Sequence, residues 1–390
     1  MLPDDQILSQ LRQQSLFREL RTIEEIRGPM VKVGDRCLVN FASNDYLGLS
    51  QHPSIKAAAK AAIDQFGVGS AASRLVTGSQ SPHAKFEEQI AAFKGTESAL
   101  LFSTGYAAAV GTICSLVGPG DVIVLDKLSH ACLIDGGKLS GALLRVFPHN
   151  NVLKLKHHLG WAQRTHPQRR ILIVTESIFS MDGDCGDLAA IVDLKNEFRA
   201  LLLVDEAHAT GVIGPHGSGL VNALGLTPQV DIQMGTLSKA FGVSGGFICG
   251  SQTLIQILVN TARSFIYSTA IPSACAAAGS AALQILRSGE GDILRSRLWN
   301  NIFLLAKSLA ALSRRSPEPT SAIFPVVIGD EQQTLRLAES LLGCGFLVPA
   351  IRYPTVARGS ARIRIAMSAS HIPEQIEALS SAIIAWRPDK

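Results

Sequence analysis

The chain has 390 residues, with 36 basic against 32 acidic side chains, 47% hydrophobic and 17% charged residues. That length suggests two domains whose cores need neither disulfides nor a structural metal, and the composition excludes general disorder. A net charge of +4 without any basic block leaves nucleic acid without a footprint, so none is expected as a partner.

The first ten residues mix acidic and Gln side chains with apolar ones and show no leader pattern. Ile7, Leu8, Leu11, Leu16, Phe17 and Leu20 recur at mixed helical spacings, which predicts an amphipathic helix within the first 25 residues, in an arm spanning 1–40. From about residue 40 come short apolar runs, each followed by a turn and a helical stretch: 99–102, 122–125, 143–147, 171–175, 201–204, 232–235 and 247–249. This alternation predicts an α/β fold with a large domain over 41–286, its mostly parallel sheet covered on both faces. The uncharged stretches 98–120 and 264–286 are Ala-rich and broken by Ser, Thr, Gly or Pro. They read as buried elements rather than membrane spans.

Beyond 287 the pattern predicts a smaller α/β domain, 287–390. Its parts are a helix to about 312, a loop over 314–320, a strand at 323–328 and a helix over 331–343. A strand pair near 346–349 and 361–366 and a last helix over 373–385 complete it. Seven cysteines (37, 114, 132, 185, 249, 275 and 344) form no C-x-x-C pair and read as buried free thiols in a reducing compartment. A cytoplasmic chain is the expectation.

Residues 200–208 read ALLLVDEAH, an apolar strand ending on Asp205 with His208 three residues later. Ligands of parallel sheets bind at the carboxyl ends of strands, and a carboxylate buried there is costly without a cation. By itself such an Asp also suits a helix cap or a surface turn. Residues 233–246, QMGTLSKAFGVSGG, then place Lys239 after a strand in a low-charge setting that favours a nucleophilic amine. Isolated lysines are usually solvated, but strand–Asp–x–x–His followed by strand–Thr–x–x–Lys suits a pyridoxal phosphate site. The acid would keep the pyridine nitrogen protonated and the lysine would hold the aldehyde carbon. Ser103-Thr104-Gly105-Tyr106, opening an Ala-rich helix, offers a phosphate cradle, to which Thr236 and Ser238 add hydroxyls. His130, past the run 122–125, could lay a flat ring on the cofactor.

Together these residues carry a family resemblance. Residues 44–49 (NDYLGL), 102–106 (FSTGY), 128–131 (LSHA), 176–184 (ESIFSMDGD), 204–211 (VDEAHATG), 236–242 (TLSKAFG) and 267–269 (YST) run in one order along the chain. In that order they resemble the α-oxoamine synthases, fold-type I pyridoxal-phosphate enzymes that join an amino acid to an acyl-CoA with loss of CO2. The resemblance implies that Lys239 binds the cofactor covalently, Asp205 meets its ring nitrogen, His208 its phenolic oxygen, and His130 stacks on the ring. Gly105, Tyr106, Ser180 and Thr236 would surround the cofactor, and Thr269 would reach the phosphate held by a partner subunit, in a homodimer with interfacial sites. Arg18, Asn44, His130, Thr355 and Arg364 would bind substrate, with Arg21 rivalling Arg18 and Arg362 rivalling Arg364. The chain length and the DEAHATG form resemble the branch that takes L-alanine and pimeloyl-CoA, or a pimeloyl carrier protein. Sister branches use glycine or serine with other acyl groups. Ala109 stands where the resemblance leads one to expect Asn, which removes a polar group near the site.

Three competing patterns are weaker. Residues 242–246 match G-x-S-x-G, but a nucleophile elbow at Ser244 needs a strand before and a helix after, and the reading here is a helical stretch around Lys239 followed by a strand. Gly67-x-Gly69 lacks a preceding strand and a third glycine. His157 and His158 face different sides of a helix and read as solvated, so no metal site is expected. A non-catalytic scaffold is the remaining alternative, disfavoured because Lys239, Asp205 and His208 are all present.

Overall fold

The computed structural model describes residues 4–310 and 318–387. Most of the loop predicted over 314–320, and the end of the helix predicted to reach 312, lie outside the described residues. The chain divides into two compact units, one of Met1–Gly48, Met181–Gly183 and Ser296–Lys390, the other of Leu49–Ser180 and Asp184–Arg295. The sequence reading had drawn its boundaries at 40/41 and 286/287.

In the first unit a helix covers Asp4–Gln13 and then stops. Leu16 is buried beyond its end, while Leu20 is fully exposed, so the predicted apolar periodicity breaks down after one short helix. Three strands that the periodicity did not reveal follow: β1 Glu25–Arg27, β2 Met30–Val33 and β3 Arg36–Asn40. They form an antiparallel meander around the Val31–Leu38 core, and their short, half-exposed runs leave no alternation long enough to read.

The second unit is built on seven strands: β4 Ser98–Phe102, β5 Val122–Asp126, β6 Leu143–Phe147, β7 Ile171–Glu176, β8 Leu201–Asp205, β9 Ile232–Thr236 and β10 Gly246–Gly250. All seven predicted runs are present. The sheet order is β4-β10-β9-β8-β7-β5-β6, parallel throughout except for β10, which is antiparallel to both neighbours. Successive residues of the strands feed two different cores. Ile123, Leu125, Leu172, Val174 and Leu203 face one, while Val122, Val124, Ile173, Leu202 and Val204 face the other. This two-sided burial is why the strands read as unbroken apolar runs. The stretches checked as membrane spans are helices and strands of this unit, and among the described residues no helix is long and apolar enough to cross a membrane.

Back in the first unit, β11 Ile323–Gly329, β12 Phe346–Leu347, β13 Ala350–Ile351 and β14 Ala361–Ala366 follow. The predicted pairing of 346–349 with 361–366 is corrected. β12 runs parallel to β3, and β14 pairs instead with β11 and β13. Strand pairing is a long-range choice that local texture does not encode. The helices Glu331–Gly343 and Pro373–Ala385 match the sequence reading at both ends. The cysteines are free, but Cys37, Cys114 and Cys344 are exposed rather than buried.

Candidate active site

Within the second unit, three adjacent parallel strands end on polar side chains at one edge of the sheet: Glu176 on β7, Asp205 on β8 and Thr236 on β9. Glu176 and Asp205 stand opposite each other in register. Above them lies a cavity of about 290 Å³ whose walls include Gly105, Tyr106, His130, Glu176, Asp205, His208, Thr236, Ser238 and Lys239. Larger clefts of about 620 and 540 Å³ elsewhere in the unit contain none of these residues. Chemistry follows the converging titratable groups rather than the volume.

Asp205 and Glu176 are both buried, and burial pushes both carboxyls above their ordinary range. For Asp205 this is opposed by the Lys239 ammonium, the Ala207 N–H donated to Oδ1 at 2.8 Å, and His130. A cationic group facing Asp205 across the cavity would complete that opposition. Glu176 Oε1 accepts the backbone N–H of His130 at 2.5 Å, which fixes the residue whose ring lines the cavity. His130 also caps the helix Ala131–Leu139, its Nδ1 accepting from Cys132 N at 3.3 Å. Burial lowers the imidazole pKa, so the ring is neutral and suited to stacking on an aromatic face.

The same cavity also holds groups suited to an anion. The 12-residue helix Gly105–Leu116 begins there, capped by Thr104, whose side chain accepts from Ala107 N at 3.0 Å. The N–H groups of Gly105 and Tyr106 are left at the positive end of the helix. Thr236 Oγ1 and Ser238 Oγ lie 2.8 Å apart beside it. Tyr106 is half exposed and donates its hydroxyl to Asp135 at 2.8 Å.

The segment carrying Lys239 is a tight loop, which corrects the helical stretch predicted there. Leu237 N donates to Gly245 O at 3.0 Å, Val243 N to Leu237 O at 2.9 Å and Gly242 N to Lys239 O at 2.9 Å. Gly242 has φ +70° and a Cβ on it would lie 2.3 Å from Ser50 N, so the turn needs glycine. With a loop before Ser244 and β10 after it, the serine-nucleophile geometry is missing. An amine, a buried acid, a flat neutral ring and a helix N-terminus with two hydroxyls thus share one cavity. That donor set fits pyridoxal phosphate.

Ser180 is buried at the end of the 176–180 stretch, outside the walls given above. Thr269 is exposed and forms an isolated antiparallel bridge with Ser73.

The remaining residues predicted to bind substrate belong to the first unit. Arg364 on β14 is buried and donates through both terminal nitrogens to Asn44 Oδ1 at 3.1 and 3.2 Å. Tyr46 donates to the same oxygen at 3.2 Å, and burial pushes its phenol up to about 12 despite the arginine beside it. Arg362 is engaged differently, donating to Asp182 Oδ1 at 2.6 Å and Met181 O at 3.1 Å. Arg18 is exposed and donates to Tyr353 O at 3.1 Å, while Arg21 and Thr355 are exposed. His157 is exposed and His158 half-buried, and among the described residues no His, Cys, Asp and Glu cluster could hold a metal.

Sequence reasoning gave no site role to Glu176, though it ends its strand as Asp205 does, nor to Lys94, Glu206 or Cys132. Glu176 carried a legible signal, a carboxylate closing an apolar run. Lys94 carried none, because a lysine ending an ordinary helix reads as solvated.

The family described as Aminotransferase class I and II matches residues 36–383. An 8-amino-7-oxononanoate synthase of Trichlorobacter lovleyi is 45% identical over 97% of this chain and 96% of its own. Among solved structures, serine palmitoyltransferase from S. paucimobilis with a bound PLP–myriocin adduct superposes with a TM-score of 0.92 at 30% identity, covering 99% of this chain and 98% of that one. An 8-amino-7-oxononanoate synthase from Francisella tularensis superposes at 0.75 and 28% identity, covering 89% and 96%.

Proposed function

We infer the reaction from kinship and cavity together: the chain belongs to the aminotransferase class I and II family and, within it, to the pyridoxal-phosphate-dependent α-oxoamine synthases. It condenses L-alanine with a pimeloyl thioester to give 8-amino-7-oxononanoate and CO2, with release of CoA when pimeloyl-CoA is the donor, a step of biotin synthesis. The observation that carries the reading is the convergence of Lys239, Asp205 and His130 on one strand-end cavity beside a helix N-terminus.

Bound there, pyridoxal phosphate supplies an aldehyde for amine exchange and a ring that withdraws charge from the alanine Cα. Lys239 Nζ would bind the aldehyde carbon, yield it to the amino group of alanine, and then take the Cα proton. Asp205 would hold a proton on the ring nitrogen, which keeps the ring electron-poor, and His208 would hydrogen-bond its phenolic oxygen. His130 would lie flat on the ring and exclude water from that face. The N–H groups of Gly105 and Tyr106, with Thr236 and Ser238, would receive the phosphate, and Ser180 would approach the cofactor from the end of the 176–180 stretch. Arg364, hydrogen-bonded to Asn44, would clamp the alanine carboxylate with its planar fork. Arg18 and Thr355 would touch the acyl donor.

We further propose a homodimer. Val68, Leu75, Val76 and Tyr267, large and strongly exposed, lie near Ser73 and Thr269 in the chain, which suits an interface through which Thr269 meets a partner's phosphate. Light scattering at working concentration tests this, and a monomer with full activity would contradict it. A cytoplasmic location is proposed with it.

The deciding experiment follows the absorbance of the cofactor-loaded protein on titration with glycine, alanine and serine, then CoA release from pimeloyl and palmitoyl thioesters. Alanine with pimeloyl is the expected pair. Serine with palmitoyl would transfer the chain to the activity named for its structural neighbours.

A further inference from the structure

On the strand-end turn next to Asp205 lies a second buried charge pair that the proposed reaction leaves without a role. Lys94 ends the helix Ser81–Lys94, and Glu206 directly follows Asp205; neither side chain has any solvent exposure. Lys94 Nζ donates to Glu206 Oε2 and, at 2.5 Å, to the carbonyl of Ser218. Glu206 Oε1 accepts from Val221 N at 2.9 Å. Its backbone is equally committed. Its N–H donates to Met234 O on β9 at 2.8 Å, and its carbonyl accepts from Ala209 N at 3.0 Å and Thr210 N at 2.8 Å. The neighbouring chain makes room for the carboxylate, since a Cβ on Gly219, at φ +112°, would stand 2.3 Å from Glu206 Oε2.

Besides Asp126, which pairs with His149, three buried carboxyls crowd this end of the sheet: Glu176, Asp205 and Glu206. They face the cation of Lys239 and the neutral ring of His130 on one side, and Lys94 on the other, with the un-ionised thiol of Cys249 near the Lys94–Glu206 pair. Only one of the three must meet a protonated ring nitrogen. A Glu206 carboxylate without its cation would favour a proton on Asp205, one residue away.

We propose that Lys94 is a positioning residue for the reaction: by neutralising Glu206 it leaves Asp205 as the carboxylate that answers the cofactor's ring nitrogen, and it pins the turn carrying Asp205 and His208. This rests on the role given to Asp205 above. A buried pair broken on one side leaves an uncompensated charge, whereas removal of both charges can be nearly neutral.

The test compares the cofactor-loaded parent with Lys94→Met and with Lys94→Met/Glu206→Gln, whose Gln can still accept from Val221 N. Three quantities are read: cofactor dissociation constant, pH midpoint of the bound-cofactor absorbance, and exchange of the alanine Cα proton in D2O. The single variant is expected to bind cofactor about tenfold more weakly, exchange about tenfold more slowly and show a displaced midpoint. The double variant is expected to return within about threefold of the parent. A single variant with the parental midpoint and affinity, whatever its melting temperature, overturns the proposal, as does a double variant whose midpoint stays displaced. If the single variant does not fold, the double variant decides alone, a parental midpoint supporting the proposal and a displaced one overturning it. A parent that binds no cofactor would instead remove the role of Asp205, and the inference with it, before any Lys94 variant is compared.

Discussion

Glu176 and Asp205 close adjacent parallel strands directly opposite one another, so two buried carboxyls stand side by side at the sheet edge. Their burial makes a second anion there costly, and the two divide the work. Asp205 faces Lys239, whereas Glu176 receives the N–H of His130. Removing the acceptor should strand that N–H, at about 1–3 kcal/mol, while an amide in its place still accepts. Glu176→Ala is therefore expected to weaken cofactor binding about tenfold and Glu176→Gln by no more than about threefold. Equal losses in the two variants, measured by equilibrium dialysis, would show that the charge and not the acceptor matters.

Lys239→Ala should abolish the cofactor's long-wavelength absorbance and turnover together, because no other amine lines the cavity among the side chains given. Borohydride reduction followed by peptide mapping checks this directly. Label on any other lysine would refute the assignment. Asp205→Asn should bind cofactor poorly and exchange the alanine Cα proton at least about 100-fold more slowly, in keeping with the loss of a buried charge partner.

The two arginines of β14 should separate kinetically. Arg364 is held by Asn44, and in the proposed role Arg364→Lys loses the planar two-point contact, so KM for alanine is expected to rise about 10- to 100-fold. Arg362 is tied to Asp182 and the Met181 carbonyl. Arg362→Gln is expected to lower the melting temperature with KM for alanine changed less than about threefold. The reverse pattern would exchange their roles.

His149 bridges two carboxylates, Nδ1 to Asp126 Oδ1 at 3.0 Å and Nε2 to Asp184 Oδ2 at 2.7 Å. Burial works against the imidazolium, but the hydrogen bonds to Asp126 and Asp184 prevail and push its pKa from 6.5 up to about 10. A group whose folded pKa is raised contributes fully below its unfolded value and loses that contribution as pH climbs through the folded one. The protein should therefore lose stability between pH 6.5 and about 10, at no more than about 1.4 kcal/mol per pH unit from this residue. His149→Gln should start lower and fall less steeply over that window in thermal melts. Parallel curves would exclude the bridge as their source.

The chemistry was legible because it is written locally. A strand that ends on Asp205, another followed by Lys239, and a Ser-Thr-Gly turn before a helix each announce themselves within a few residues, and their family order multiplies the signal. The seven strands of the large sheet were legible for a related reason, since burial on both faces leaves unbroken apolar runs. The meander over 25–40 was not, because its strands are short and half-exposed. The loop around Lys239 was misread as helical because its bonds run to Gly245 and across to Leu237, not along a helix.

What the sequence alone determined, then, is which groups the proposed reaction would use: the amine of Lys239, the acid of Asp205, and the turn before Gly105. Only the tertiary structure decided what surrounds them. Strand register set Glu176 against Asp205, and chain folding brought the end of a distant helix, Lys94, onto Glu206. The reason is physical. Reactive side chains are chosen by local backbone geometry, whereas the charges that set their protonation act through space, between residues 112 positions apart.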